Sequence, residues 1–179
     1  MRFCSNLLLV LALSSPLMAY EQAFPQTQPG RTELKTLPAG TLLKASAEGN
    51  YFAESSRLFR PLFSYISAND IKMTVPVEAQ IDHAAMYFWV ASGELAKVGP
   101  ARDGVEVLRL PERRVAALGA RGSYSQENFE KSRDALLAWL AQQPGVEAAG
   151  PAYAVYWNGP FTLWWRKEYE VHVPVRPKG

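Results

Sequence analysis

The chain is poor in the groups that most hydrolases and metalloproteins draw on. Its 179 residues include one cysteine, Cys4, and two histidines, His83 and His172. Cys4 lies at the extreme N-terminus, so the rest of the chain forms no disulfide, holds no zinc through thiolates and offers no cysteine nucleophile. GxSxG, a Walker loop, GxGxxG and HExxH are all missing. An excess of one charge is missing too: 19 Lys+Arg stand against 17 Asp+Glu, which argues against a nucleic-acid-binding face. No apolar run reaches the roughly 20 residues that a membrane span needs.

What remains fits one globular domain. The chain is 48% hydrophobic and 20% charged, which excludes bulk disorder. A domain of this length buries roughly 70% of its unfolded surface and needs no covalent staple. Aromatic residues make up 12%, five of them Trp, enough to fill a core or to line a groove for a flat ligand.

Residues 1–19 have the layout of a secretory signal peptide: Arg2, then the apolar run Leu7 to Leu13, then small and turn residues ending at Ala19. Cys4 precedes the apolar run and so is not placed for lipid attachment. Residues 20–30, YEQAFPQTQPG, read as a flexible tether, and 31–179 as a single domain. Export without disulfides points to the bacterial periplasm or to secretion, with no membrane span left after cleavage.

An internal repeat stands at an offset of 73 residues. LPAGTLLKASAEGNY (37–51) and LPERRVAALGARGSY (110–124) share five of fifteen positions, among them Gly49/Gly122 and Tyr51/Tyr124. Each copy leads from a strand-like stretch through a glycine into a helical one. Phe52, Phe59, Leu62, Phe63 and Ile66 form an apolar stripe within 51–66, with Pro61 predicting a kink or a helix beginning there. Phe129, Leu136, Leu137 and Leu140 do the same within 125–142, capped by Ser123 with Gln126 or by Ser125, and stopped at Pro144-Gly145. Strands are predicted over 71–80, 84–91, 105–109, 113–119, 151–157 and 165–175, with turns at 81–83 and at Asn158-Gly159-Pro160. In the last strand Val171, Val173 and Val175 share one face, and Glu170, His172 and Pro174 the other. The class is α+β: two pseudo-twofold strand-helix-strand-strand units, mostly antiparallel.

Two segments are distinctive. DIKMTVPV (70–77) carries Lys72, Met73, Thr74, Pro76 and Val77 in a K-x-M-T-x-P-V pattern, after Leu62, Phe63, Tyr65 and Ile66. YAVYWNGPFTLWWRKEYEV (153–171) carries Tyr156, Trp157, Pro160 and Phe161, then Glu170-Val171. In these segments the chain resembles the SOUL family of haem-binding proteins, over about 31–175. The resemblance implies a duplicated unit forming a distorted antiparallel β-barrel with two helices packed on it. It also implies non-enzymatic binding of haem or a related tetrapyrrole in a shallow groove between the first helix and the late loop. Such an apolar planar ligand wants aliphatic, Met or aromatic side chains on its faces and cations at its propionate edge. Met73, Tyr156, Trp157, Phe161, Trp164 and Trp165 are the candidates for the faces, and Arg60 and Arg166 for the rim. Met73 and the Trp pair read equally well as core packing, and the Trp pair also as a partner-binding patch.

The chain departs from the family pattern at the iron. Some members ligate it with a His shortly before a Pro, and here Thr36 stands ahead of Pro38. His83, His172, Tyr153 and Tyr156 are the remaining candidate iron ligands, and binding without a strong axial bond is expected. Tyr169 replaces the family's closing Asn. The same fold resembles gyrase-inhibitor-like ligand-binding domains, some of whose relatives are hydrolases. That keeps a second reading open, an enzyme using a buried carboxylate among Glu78, Glu168 and Glu170. A third is an interaction module built on Trp164 and Trp165.

Overall fold

The computed structural model describes residues 20–159 and 161–179. The signal segment 1–19 and Pro160 lie outside the described residues. The strands are β1 (Glu21–Gln22), β2 (Thr32–Leu37), β3 (Gly40–Ser46), β4 (Thr74–Val75), β5 (Val77–Gln80), β6 (Ala85–Val90), β7 (Val105–Leu110), β8 (Arg113–Arg121), β9 (Val146–Ala148), β10 (Tyr153–Tyr156) and β11 (Glu168–Pro177). The helices α1 (Tyr51–Ala68) and α2 (Gln126–Leu140) follow β3 and β8, and short 3-10 stretches cover Ser92–Lys97 and Trp164–Arg166.

The fold is α+β around a mostly antiparallel sheet. Strand order is β2-β8-β11-β10-β5-β6-β3-β7, with β9 added on β11 and a separate parallel pair of β1 and β4. Exchanging β2 with β7, β3 with β8, β5 with β10 and β6 with β11 reverses this order into itself. The centre is the β5–β10 ladder, where Val155 faces Glu78. The leading strand of each half crosses over: β2 pairs with β8, and β7 with β3. The path ends at β2 and β7, and no ladder joins them among the described residues. The sheet is therefore not closed into a barrel, contrary to what the resemblance implies.

Both helices begin just past a repeated glycine. Gly49 and Gly122 have φ of 97° and 140°, a region that side chains rarely enter, which is why glycine stands at both junctions. The Asn50 side chain accepts from the Phe52 N–H to cap α1. At α2 the cap is Ser125, accepting from Asn128, rather than Ser123. The first helix runs unbroken through Pro61.

Its buried stripe is Tyr51, Leu58, Leu62, Tyr65 and Ile66. Phe63, expected on the stripe, is half exposed and stacks on Phe59 at 5.5 Å. One residue past Leu62 is about 100° around the helix, so both cannot face the sheet. Leu137 of α2 is likewise exposed beside buried Leu136.

The sheet separates two apolar layers. Under the helices, Val171, Val173 and Val175 join Leu43, Phe88, Leu62 and Leu136 in the larger core. On the opposite face Leu37, Leu42, Trp89, Val115, Val155 and Trp157 gather around Phe24. Residues 20–30 are thus packed down rather than standing off as a tether: Phe24 and Thr27 are buried, and Pro29 bridges to Gly119. A Cβ on Gly119 would run into the Thr27 and Gln28 carbonyls, so glycine is what lets this segment lie on β8.

Candidate functional site

A cleft of about 270 Å³ opens on the helix side of the sheet. Its walls are Tyr51 and Phe59 from α1, Met73, Val75 and Val77 from the 70–77 motif, Met86 from β6, and Tyr156 from β10. Tyr20, Tyr124, Asn158, Gly159 and Lys167 complete it. The local pattern explains the walls. In β10 alternate side chains take opposite faces, so Tyr156 enters the cleft while Val155 goes to the other layer. The strand-helix junctions of both repeats deliver one tyrosine each, Tyr51 and Tyr124.

These three phenols form one cluster. Tyr124 stacks on Tyr156 at 4.2 Å, and Tyr51 lies 5.9 Å from Tyr156. The Tyr124 hydroxyl donates to the Glu168 carbonyl at 2.9 Å and accepts from the Asn158 N–H at 3.0 Å. The Tyr156 hydroxyl is buried and has no hydrogen-bond partner among the described residues. Burial pushes all three phenols up, so they stay neutral. Among the described residues Lys167 is the one cation in the lining, its Nζ 4.8 Å from the centre of the Tyr124 ring. Across Met73 and Tyr20 a second hollow of about 530 Å³ continues toward Lys72 and Glu94.

Of the sequence-derived candidates, Met73 and Tyr156 come together here. Trp157 is buried on the opposite face. Arg60 and Arg166 are exposed and line no part of the cleft. Phe161, Trp164 and Trp165 are exposed on the loop whose two ends, at Gly159 and Lys167, do line it. His83 is exposed in the β5–β6 turn, and His172 is fully buried away from the cleft. Among the described residues no cluster of three His, Cys, Asp or Glu is disposed to hold a metal.

Sequence reasoning missed Tyr51, Phe59, Met86, Tyr124 and Lys167 as lining. The signal for two of them was present, since Tyr51 and Tyr124 are matched positions of the repeat.

The candidate carboxylates lie elsewhere. Glu78 accepts from Trp89 Nε1 and from Arg113, both at 2.9 Å. Glu170, fully buried, accepts from Thr27 N and Trp157 Nε1 at 2.9 Å, and from Lys35 Nζ and His172 Nε2 at 2.6 Å. Burial alone would raise its pKa, but the His172 hydrogen bond and the Lys35 ammonium outweigh that and hold it at about 2. Burial lowers the His172 pKa, leaving a neutral ring that donates from Nε2 and accepts the Tyr153 hydroxyl at Nδ1, 3.2 Å away. Glu168 is part-exposed and paired with Arg121 at 2.6 Å. None of the three lines the cleft.

A family model described as SOUL heme-binding protein matches residues 19–174. No curated protein matches the sequence. Among solved structures, the EcmrR C-terminal domain superposes with a TM-score of 0.64 at 13% identity, over 82% of this chain and 97% of that one. EcmrR in its complex with DNA gives 0.65 at 12% identity, over 82% of this chain, which spans only 57% of the EcmrR chain. A hydrolase from Listeria innocua gives 0.58 at 10% identity, over 84% of this chain and 94% of that one. At these identities the likeness is one of fold.

Proposed function

The chain belongs to the SOUL heme-binding protein family, and on that premise we propose that it binds haem or a related tetrapyrrole in the tyrosine-lined cleft, without catalysis. One observation carries the placement: the 70–77 motif and the late segment, far apart in sequence, supply Met73 and Tyr156 to the same apolar hollow. Met73 and Met86 offer polarizable faces, the stacked tyrosines a flat wall, and Lys167 a partner for an acidic edge. The Tyr156 hydroxyl, unpartnered among the described residues but closed off from solvent, would meet a polar atom of the ligand only after a local side-chain shift. The volume is slightly under the roughly 300 Å³ at which sites begin to enclose a drug-sized ligand. A macrocycle therefore enters in part and keeps an edge outside.

No histidine lines the cleft, and its phenols stay protonated, so affinity rests on faces and rim rather than on iron. Export through residues 1–19 makes this a carrier or buffer in the periplasm or outside the cell, and internal duplication accounts for the self-reversing strand order. Titration of the purified protein with haemin and with metal-free protoporphyrin tests the reading. Saturable absorbance changes with both, with dissociation constants within about tenfold of each other, are expected. Absence of saturation at micromolar protein would sink it. N-terminal sequencing of the exported protein, expected to begin at Tyr20, tests the export step.

A further inference from the structure

The loop between Gly159 and Lys167 is unlike the rest of the surface. Phe161 is 99% exposed, Trp164 63%, and Leu163 and Trp165 51% each. The two indoles meet edge to face at 5.5 Å, and among the described residues neither ring makes an aromatic contact with the body of the protein. Arg166 and Lys167 follow directly, and residues 158–167 contain no Asp or Glu. We propose that this loop docks the protein on an anionic lipid bilayer, with Phe161, Leu163 and the Trp pair entering the interface and Arg166 and Lys167 facing the headgroups.

Chemistry and area both favour a bilayer over a protein partner. Tryptophan prefers the membrane-water boundary, where its ring is buried and its N–H stays wet. Adjacent cations complement an anionic leaflet. The three aromatics offer roughly 500 Å² between them, short of the about 800 Å² per partner that a stable protein interface covers. Shallow insertion at the level of the headgroups needs no more than such a patch. No helix among the described residues is long and apolar enough to cross a membrane. Because both ends of the loop line the cleft, docking sets the cleft mouth beside the lipid. The attachment itself needs no tetrapyrrole.

Co-sedimentation without tetrapyrrole tests this, using phosphatidylethanolamine vesicles carrying roughly a third phosphatidylglycerol, and phosphatidylcholine vesicles as the neutral control. The wild type is expected to bind the anionic vesicles, and salt to weaken binding. Trp164→Ser/Trp165→Ser should lose at least about tenfold in partitioning. Arg166→Gln/Lys167→Gln should lose about fivefold per charge, together with most of the salt dependence. All these side chains are at least partly exposed, and unchanged thermal unfolding of the variants will show that they fold. Failure of the wild type to bind anionic vesicles, or undiminished binding by the Trp variant, would overturn the proposal. So would light scattering that shows a dimer abolished by the Trp substitutions in protein that ignores vesicles, since the patch would then serve a second copy.

Discussion

On one face of the sheet the Glu170 carboxylate accepts four hydrogen bonds; on the other the Tyr156 hydroxyl makes none among the described residues. Both groups are buried and stand on neighbouring strands. The difference lies in what covers them. Residues 20–31 press Phe24 edge-on between Trp89 and Trp157, at 5.6 and 5.5 Å, and close the Glu170 layer. Among the described residues nothing comparable covers the helix side between Tyr51 and Lys167, where the cleft opens. The closed layer pairs both of its buried carboxylates, Glu78 and Glu170, and leaves only Arg113 Nε unpaired among the described residues, whereas the open one leaves the Tyr156 hydroxyl. Polar deletions should therefore damage stability on the first face and binding on the second.

The largest effect is expected from Glu170→Ala. It leaves Lys35, the Trp157 indole N–H, the Thr27 N–H and His172 facing a void, and removing one partner of a buried ion pair typically costs about 3–5 kcal/mol. Urea unfolding measures it. A loss under 1 kcal/mol would mean that the layer is not sealed.

Acid should undo the same layer in two stages. The His172 pKa is lowered by burial, so below its unfolded value of 6.5 the unfolded chain binds the proton first and stability begins to fall. Glu170, held at about 2 against 4.5, contributes stability that is complete above pH 4.5 and lost as pH drops toward 2. That second stage amounts to about 3 kcal/mol. Unfolding midpoints across pH should show both limbs, and Glu170→Gln should flatten the lower one. Stability that stayed level from neutral pH to pH 3 would contradict the pairing drawn here.

The sealed layer was only half legible in the sequence. Alternation in 165–175 placed Glu170 and His172 opposite the valines, because a strand's period of two is read directly from residue types. Their cover was not legible. A Gln/Pro-rich stretch carries no periodicity, and its docking depends on a single aromatic, Phe24, and on the space above Gly119. The cleft shows the same division. The 70–77 and 153–171 motifs pointed to Met73 and Tyr156, while Lys167 and Phe59 reach the site only through the pairing of β10 with β11 and the seat of α1. Phe161, Trp164 and Trp165 are apolar by type and exposed by position, and composition alone cannot separate a face that meets a ligand from one that meets solvent.

Gly119→Ala probes that cover from the backbone side. The added methyl meets carbonyl oxygens of Thr27 and Gln28, which cannot rotate away, so the segment must lift. Overpacking of this kind costs about 1–3 kcal/mol. Proteolysis near residues 20–31 should also quicken. Wild-type stability together with unchanged proteolysis would show that the segment contributes little to closing the layer.

Tyr156→Phe should have the smallest effect on stability and the most telling sign. A hydroxyl buried without a partner costs roughly 1–3 kcal/mol relative to one that is satisfied, so its removal should leave the protein as stable as before or up to about 1 kcal/mol more so. If the same hydroxyl serves a polar atom of a bound tetrapyrrole, haemin affinity should fall by about three- to tenfold, the value of one hydrogen bond. Met73→Ala, which removes wall area and no polar atom, should weaken haemin and metal-free protoporphyrin alike. A stabilised variant with weaker binding marks Tyr156 as a group kept for a ligand. A destabilised variant with unchanged binding would put this hydroxyl under the same rule as Glu170 and erase the contrast between the two faces.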